Sequence, residues 1–344
     1  PATVPIFAAL LIGLFIWDLA GESFVKKPLQ SRMGNKLNKI AYALDLDAGP
    51  WNPALEEKLL SRADELFDRF MELRKQADRD LRHVPHYPWG ACEIITKRVR
   101  VLAGEQPWMK EWTDAGLQLR RIYGILKDLY FQNALQLGQL YIDPGNDTGD
   151  VHKASVEVLP IREVPWVNLG DPAEYRRVAR RYLNLTLYPN LCLPVLFPFM
   201  PYIAINPEGH VFPLRHQDVI LWKDAASDFQ VSANWLSGLA DGDRLPAVAE
   251  AVLAEAAAHD EFPLEWSPCQ PFQIRDQILP DYRKHATSEN VPSLFKTALR
   301  LRDRVNRQLH LHSAVIPADE LAMLQTEGLA PLARERSDLS WTGR

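Results

Sequence analysis

A histidine and an aspartate two residues apart are the strongest sign of chemistry in this sequence of 344 residues. His216 and Asp218 belong to the stretch "PYIAINPEGHVFPLRHQDVILW", residues 201–222. Side chains two apart on a strand point to the same face, so both can reach one metal ion. Two histidines and a carboxylate hold iron(II) and leave positions open for oxygen and a co-substrate. A polar pair on a half-buried strand is the alternative.

The segments "NPEGHVFPLRHQDVILW" and "HATSENVPSLFKTALRLR" resemble two motifs of the iron(II)/2-oxoglutarate oxygenases, especially the phytanoyl-CoA dioxygenase type. In that family His-Gln-Asp follows a stretch with proline and glycine, and a later histidine precedes an asparagine and an arginine. The resemblance implies that His285 is the third iron ligand. It implies that Arg300 or Arg302 pairs with the distal carboxylate of 2-oxoglutarate, and that this second motif lies on strands of a jelly roll.

Two other histidine pairs are alternatives for the third ligand or for a separate metal site. His83 and His86 are three residues apart in a proline-rich stretch, and His310 and His312 are two apart near a predicted helix end. Histidines at these spacings can bind zinc or iron. A structural or solvent-exposed role is the other interpretation of each pair.

The loop "YIDPGNDTGD" is acidic and begins near Asp143. Counted as a calcium-binding loop from Asp143, it has Thr148 where glycine is required and Ala154 where the bidentate glutamate belongs, which excludes that motif. We expect a turn, because its proline, glycine and Asx residues favour one. The alternative is a group of carboxylates with His152 that serves metal binding or acid-base chemistry, and a transferase would use carboxylates such as Asp147 and Asp150.

Four arginines form two rows on a predicted helix that begins after Asp171: Arg176, Arg177, Arg180 and Arg181. Guanidinium groups match the oxygens of phosphates, sugar acids and anionic headgroups, so we predict an anion-binding surface. A solvated helix face paired with acids elsewhere is the alternative.

The composition is that of a globular protein, since 47% hydrophobic and 24% charged residues fit neither a disordered chain nor a multi-span membrane protein. A formal charge of −5 gives no general attraction to nucleic acid. Cys92, Cys192 and Cys269 have no paired spacing, which argues against a disulfide framework and against a zinc knuckle. The sequence therefore predicts a reducing, cytoplasmic location.

Residues 1–20 form an apolar segment, whereas residues 335–344 form a polar tail. The unbroken apolar run from Ile6 to Trp17 has 12 residues, and a helix needs about 20 to cross a bilayer. We expect a buried first element. The alternative is an anchor that gives peripheral contact with the inner face of a membrane.

Apolar periodicity predicts helices at 53–77, 107–141, 246–258, 291–309 and 318–327, besides the arginine-bearing helix. The alternating stretch 153–160 predicts a strand, and residues 185–222 predict short strands and irregular segments. The expected class is α+β in a single large domain over 1–344, with helix-rich flanks around a β-containing centre. The centre is jelly-roll-like if the resemblance holds, and the fold is mainly α if it does not.

The leading hypothesis is an oxygenase that uses Fe(II) and 2-oxoglutarate to hydroxylate an anionic or amphiphilic, lipid-like small molecule. One rival is a non-catalytic, helix-rich binding or assembly protein, docked through its apolar N-terminus and its arginine-bearing helix. Another is a transferase acting on an anionic or glycan substrate.

Overall fold

The structure is a computed structural model that describes residues 52–150, 152–215, 220–221, 224–225, 227–240, 243–264, 266–285 and 291–331. The chain separates into two compact units that divide between Leu169 and Gly170. We call their described parts the N-terminal unit (52–169) and the C-terminal unit (170–331). The predicted single large domain stays a prediction.

Helices form the first half of the N-terminal unit: α1 (Pro53–Ser61), α2 (Ala63–Leu81), α3 (Cys92–Gly104) and α4 (Pro107–Asp114). The Asn52 side chain accepts hydrogen bonds from the free amides of Ala54 and Leu55, which fixes the start of α1. The predicted helix over 53–77 is therefore confirmed, with a break at Arg62 between α1 and α2.

Five strands follow: β1 (Leu119–Leu126), β2 (Tyr130–Leu137), β3 (Leu140–Asp143), β4 (Glu157–Pro160) and β5 (Trp166–Asn168). They form one antiparallel sheet in the order β4-β3-β2-β1-β5. The predicted strand at 153–160 is confirmed for β4. The predicted long helix over 107–141 is wrong beyond α4, because β1, β2 and the first half of β3 occupy that range.

Glycines and turn residues with left-handed backbone explain why α4 does not continue through the predicted range 107–141. Gly116 follows α4 with φ +93°, and Gly138 has φ +53° in the two-residue turn between β2 and β3. Lys127 and Asp128 also adopt positive φ in the turn between β1 and β2. Gly124 lies within β1, and a β-carbon added to it would be 2.4 Å from the carbonyl oxygen of Val167 on β5. This close contact between the strands requires glycine.

The largest core of the N-terminal unit lies between the helices and one face of this sheet. Phe70 of α2, Ile95 of α3 and Trp112 of α4 are buried there with Leu135 and Ile142, which are paired across β2 and β3. Burial of this apolar face is the main stabilising contribution to the unit.

In the C-terminal unit, one helix precedes a small sheet in the sequence and the other helices follow it. Its helices are α5 (Pro172–Tyr182), α6 (Gln230–Ser237), α7 (Ala247–Ala257), α8 (Pro271–Gln273), α9 (Leu279–His285), α10 (Val291–Leu311) and α11 (Ala318–Thr326), with a π-helical turn (Ile274–Ile278) joining α8 to α9. Its antiparallel sheet contains β6 (Thr186–Pro189), β7 (Tyr202–Ile205) and β8 (Val211–Leu214) in that order.

These elements confirm the α+β class, with open antiparallel sheets. The helices predicted at 246–258, 291–309 and 318–327 are confirmed by α7, α10 and α11. The segments 1–20 and 335–344 lie outside the described residues. In the part that the structure describes, no helix has both the length and the apolar character needed to cross a membrane.

Candidate functional site

The predicted iron site lies mainly outside the described residues. Strand β8 ends at Leu214, and residues 216–219, which include His216 and Asp218, are not described. Ile220 and Leu221, expected to continue the strand, have helical backbone, so the strand prediction is wrong for those two residues. His285 is the last residue of α9. These three ligands stay a prediction.

The two arginines assigned to 2-oxoglutarate, Arg300 and Arg302, both lie on α10. The strands that the resemblance implies for this segment are therefore wrong, and the helix that the periodicity predicts is right. Arg302 makes an ion pair of 2.6 Å with its neighbour Asp303. Arg300 is exposed. Their role in binding the co-substrate stays a prediction.

The alternative histidine pairs also lie on described residues. His83 and His86 follow α2, and the ring of His312 stacks on that of His259 with 3.5 Å between centroids. Among the residues that the structure describes, no three histidine, cysteine or acidic side chains are grouped to hold a metal ion.

The arginine-bearing helix is α5, and its predicted start is confirmed because the Asp171 carboxylate accepts a 2.7 Å hydrogen bond from the amide of Ala173. All four of its arginines interact with the protein itself. Arg176 donates to the carbonyl of Leu187 and pairs with Asp243, both at 2.8 Å.

Arg180 donates a short hydrogen bond to the carbonyl of Gly328. Arg177 and Arg181 are exposed, and each also has an interaction within the protein. Anion binding by these four residues stays a prediction.

The acidic loop joins β3 to β4 and is held by Arg74, whose side chain is only 2% exposed. The Arg74 guanidinium donates to both carboxylate oxygens of Asp147, at 2.8 and 3.1 Å. It also donates to the carbonyls of Pro144 and Ser155, at 2.5 and 3.0 Å, and to Asp78 at 2.7 Å. The loop is thus a structured turn, as expected, with the partly exposed Asp147 paired to the buried Arg74.

Asp143, at the start of this loop, is fully buried. Its carboxylate accepts hydrogen bonds from the Gln132 amide at 2.6 Å, the Tyr141 hydroxyl at 3.0 Å and the Gly145 backbone amide at 2.8 Å. Burial raises the pKa of the Asp143 carboxyl to about 6, although these three hydrogen bonds lower it.

A cleft of about 500 Å³ opens in the N-terminal unit between α2, the β1–β2 turn, the acidic loop and β4. Its wall is largely apolar and includes Phe67, Leu126, Val156, Val158, Leu159 and Val164. Its polar lining comprises Lys127, Lys153, Tyr130, Asn146 and Glu157. We call this the lysine cleft. Volumes of this order accommodate small organic ligands.

The two lysines of the lysine cleft differ from the other four lysines of the N-terminal unit. Each of those four has a carboxylate partner within 2.9 Å: Lys58 with Glu111, Lys75 with Glu72, Lys97 with Glu93 and Lys110 with Asp114. Lys127 and Lys153 have no carboxylate within 4 Å among the described residues. The cleft therefore presents two ammonium groups that can take an external anion.

Arg74 and the acidic loop that it holds position one side of the lysine cleft. The Asn146 amide donates a 3.0 Å hydrogen bond to the carbonyl of Ala154, which ties together the two arms of the acidic loop. Ala154 stands between Lys153, a cleft residue, and Ser155, whose carbonyl Arg74 holds. The buried guanidinium of Arg74 therefore helps to fix the backbone that carries Lys153.

Sequence reasoning missed this cleft, because Lys127 was assigned to a long helix and Lys153 to the start of a strand. Lys127 and Lys153 line the same cleft because the antiparallel sheet places their segments next to each other. Comparison of the chain with protein-family models, with curated proteins and with solved structures gives no match.

Proposed function

We propose that the protein binds a small amphiphilic anion in the lysine cleft, as a non-catalytic binding protein. The observation that carries this proposal is the contrast between the lysines of the N-terminal unit. All four outside the cleft have carboxylate partners, and the two inside have none among the described residues.

Electrostatics favours an anion at this position. Lys153 is partly buried, and the apolar wall beside it provides less solvation than open water. An ammonium group next to apolar surface gains more from a bound anion than one that is fully hydrated. The lysine stems can cover the apolar wall while their charged ends meet the ligand.

The apolar wall supports an amphiphile over an inorganic ion. The side chains of Leu126, Val156 and Val164 are buried but border the cleft. Contact between them and a hydrocarbon body removes apolar surface from water, which is favourable at about 25 cal/mol per Å². A few polar groups that orient a ligand within an apolar wall are typical of small-molecule sites.

The transferase hypothesis has less support, since it needs Asp147 as a reactive carboxylate. Asp147 accepts two hydrogen bonds from Arg74, so its carboxylate is engaged in a structural ion pair.

Titration calorimetry with decanoate and with decyl phosphate tests the proposal. We expect the full-length protein to bind at least one of them with saturable, one-to-one stoichiometry. The double variant Lys127→Gln/Lys153→Gln should weaken that binding by about tenfold, since two favourable charge pairs are removed. Lys75→Gln/Lys110→Gln is the matched control and should leave the affinity unchanged. The proposal would be refuted if the protein bound neither ligand. It would also be refuted if the two double variants bound the ligand with equal affinity.

A further inference from the structure

Glu157 is the only acidic residue in the described lining of the lysine cleft. It lies on β4 directly opposite Asp143 of β3 in the antiparallel register. Directly opposite residues of an antiparallel pair have β-carbons about 5 Å apart and point to the same face. The cleft therefore has a carboxylate in its wall and a second, fully buried carboxylate next to it.

These groups set the charge that a ligand meets. The lining contributes two positive charges from Lys127 and Lys153 and one negative charge from Glu157. Glu157 makes no ion pair within 4 Å in the described part of the chain. A ligand with one negative charge balances the lining, whereas a second negative charge is in excess and is repelled by Glu157.

We infer that the ligand is a monoanionic amphiphile with a carboxylate head group, and that Glu157 discriminates against dianionic head groups such as phosphate monoesters. This inference depends on the proposed function. Discrimination by a repulsive group is a general way to obtain specificity when attractive contacts are shared by both ligands.

The apolar wall of the cleft favours a ligand with a hydrocarbon chain. Val158 and Leu159 are consecutive on β4 and point to opposite faces of the sheet, yet both border the cleft. The apolar lining of the cleft therefore includes consecutive residues of the edge strand. Each additional methylene of a bound chain should raise the affinity about fourfold until the cleft is filled.

The test compares decanoate, decyl phosphate and decanol at pH 8, where the phosphate monoester carries close to two negative charges. The proteins are the wild type, Glu157→Gln and the control Glu163→Gln, whose exposed carboxylate lies outside the cleft lining. We expect the wild type and the control to prefer decanoate to decyl phosphate by about fivefold or more. In Glu157→Gln the preference should fall at least about threefold, mainly because decyl phosphate binds more tightly.

The outcomes separate this inference from the proposed function. If the wild type binds neither anion, the proposed function fails and the inference fails with it. If the wild type binds decyl phosphate as tightly as decanoate, or if Glu157→Gln leaves the ratio unchanged, the inference alone is overturned. Decanol binding as tightly as decanoate would also overturn it, because the head-group charge would then contribute nothing.

Discussion

Arg74 and Asp147 form a two-pronged ion pair with N–O distances of 2.8 and 3.1 Å, although they are 73 residues apart in the sequence. The pair joins α2 to the acidic loop. Removal of one partner leaves the other charge in a site that water reaches poorly, which typically costs about 3 to 5 kcal/mol. We therefore expect Arg74→Ala to lower the free energy of unfolding by about that amount, as measured by urea denaturation.

Lys75→Ala is the control, because Lys75 pairs with Glu72 on the exposed surface of the same helix. Exposed pairs contribute about 0 to 1 kcal/mol, so this variant should stay close to the wild type. Equal stability of the two variants would contradict a structural role for Arg74.

The transferase hypothesis makes a different prediction for the same ion pair. If Asp147 were a reactive carboxylate, Asp147→Asn would abolish activity and leave stability unchanged. We expect it instead to destabilise the protein by about 1 to 3 kcal/mol, because Arg74 loses a charged acceptor. Asp150→Asn is measured beside Asp147→Asn. Thermal unfolding of the two variants distinguishes the hypotheses, because only a structural ion pair predicts that Asp147→Asn lowers stability.

The buried carboxyl of Asp143 makes stability depend on pH. Its folded pKa of about 6 exceeds the ordinary value of 3.8, so the folded state binds more protons between these pH values. The contribution of Asp143 to the free energy of unfolding should therefore fall as pH rises through that range, by on the order of 3 kcal/mol. Exposed acids with lowered pKa values, such as Glu65, act in the opposite direction.

The difference between the wild type and Asp143→Asn isolates this effect. Asparagine does not titrate, and it leaves at least one of the three donors to Asp143 unpaired, because only one of its two side-chain positions is an acceptor oxygen. We expect the variant to be less stable, with a deficit larger at pH 4 than at pH 7. A deficit that is independent of pH in urea denaturation would contradict the raised pKa.

The sequence predicts an element well where its ends carry local signals. Asp171 and Pro172 fix the start of α5, and the Asp171 cap contact is present in the structure. The apolar residues of β1 and β2 also fit helical spacing, which led to the wrong helix at 107–141. Gly116 and Gly138 were the local signals against it, since both adopt left-handed backbone conformations.

The lysine cleft is not predictable in the same way. Phe67, Lys127 and Lys153 come from three separate segments, and their proximity depends on the register of the sheet. Their ammonium groups become distinctive only when the carboxylate partners of the other lysines are known. Ion pairing is a tertiary property that single-sequence periodicity does not carry.

Arg176 of α5 should contribute to stability. It bridges the carbonyl of Leu187 on β6 and the carboxylate of Asp243, so Arg176→Ala leaves both acceptors without this donor. We expect a loss of about 1 to 3 kcal/mol in the free energy of unfolding. Arg162→Ala is the control, because Arg162 is 75% exposed and lies 4.0 Å from Glu163. Similar stabilities of the two variants would favour a free anion-binding role for Arg176.

The oxygenase prediction has its own spectroscopic test. Anaerobic addition of iron(II) and 2-oxoglutarate should give a visible charge-transfer band if His216 and Asp218 are ligands, and His216→Ala should lack it. We expect no such band, because Arg302 is paired with Asp303 on a helix and is not presented on a jelly-roll strand. A band that needs the co-substrate and is lost in His216→Ala would restore the oxygenase as the leading function.

Lysine footprinting tests most directly whether the lysine cleft binds an anion. The acetylation rate of each lysine is measured by mass spectrometry with and without decanoate at about ten times its Kd. We predict that Lys127 and Lys153 are protected by about tenfold, since about one tenth of the cleft stays free. Lys75 and Lys110, in exposed ion pairs, should react at unchanged rates. Equal rates at all four lysines with decanoate bound would contradict the account.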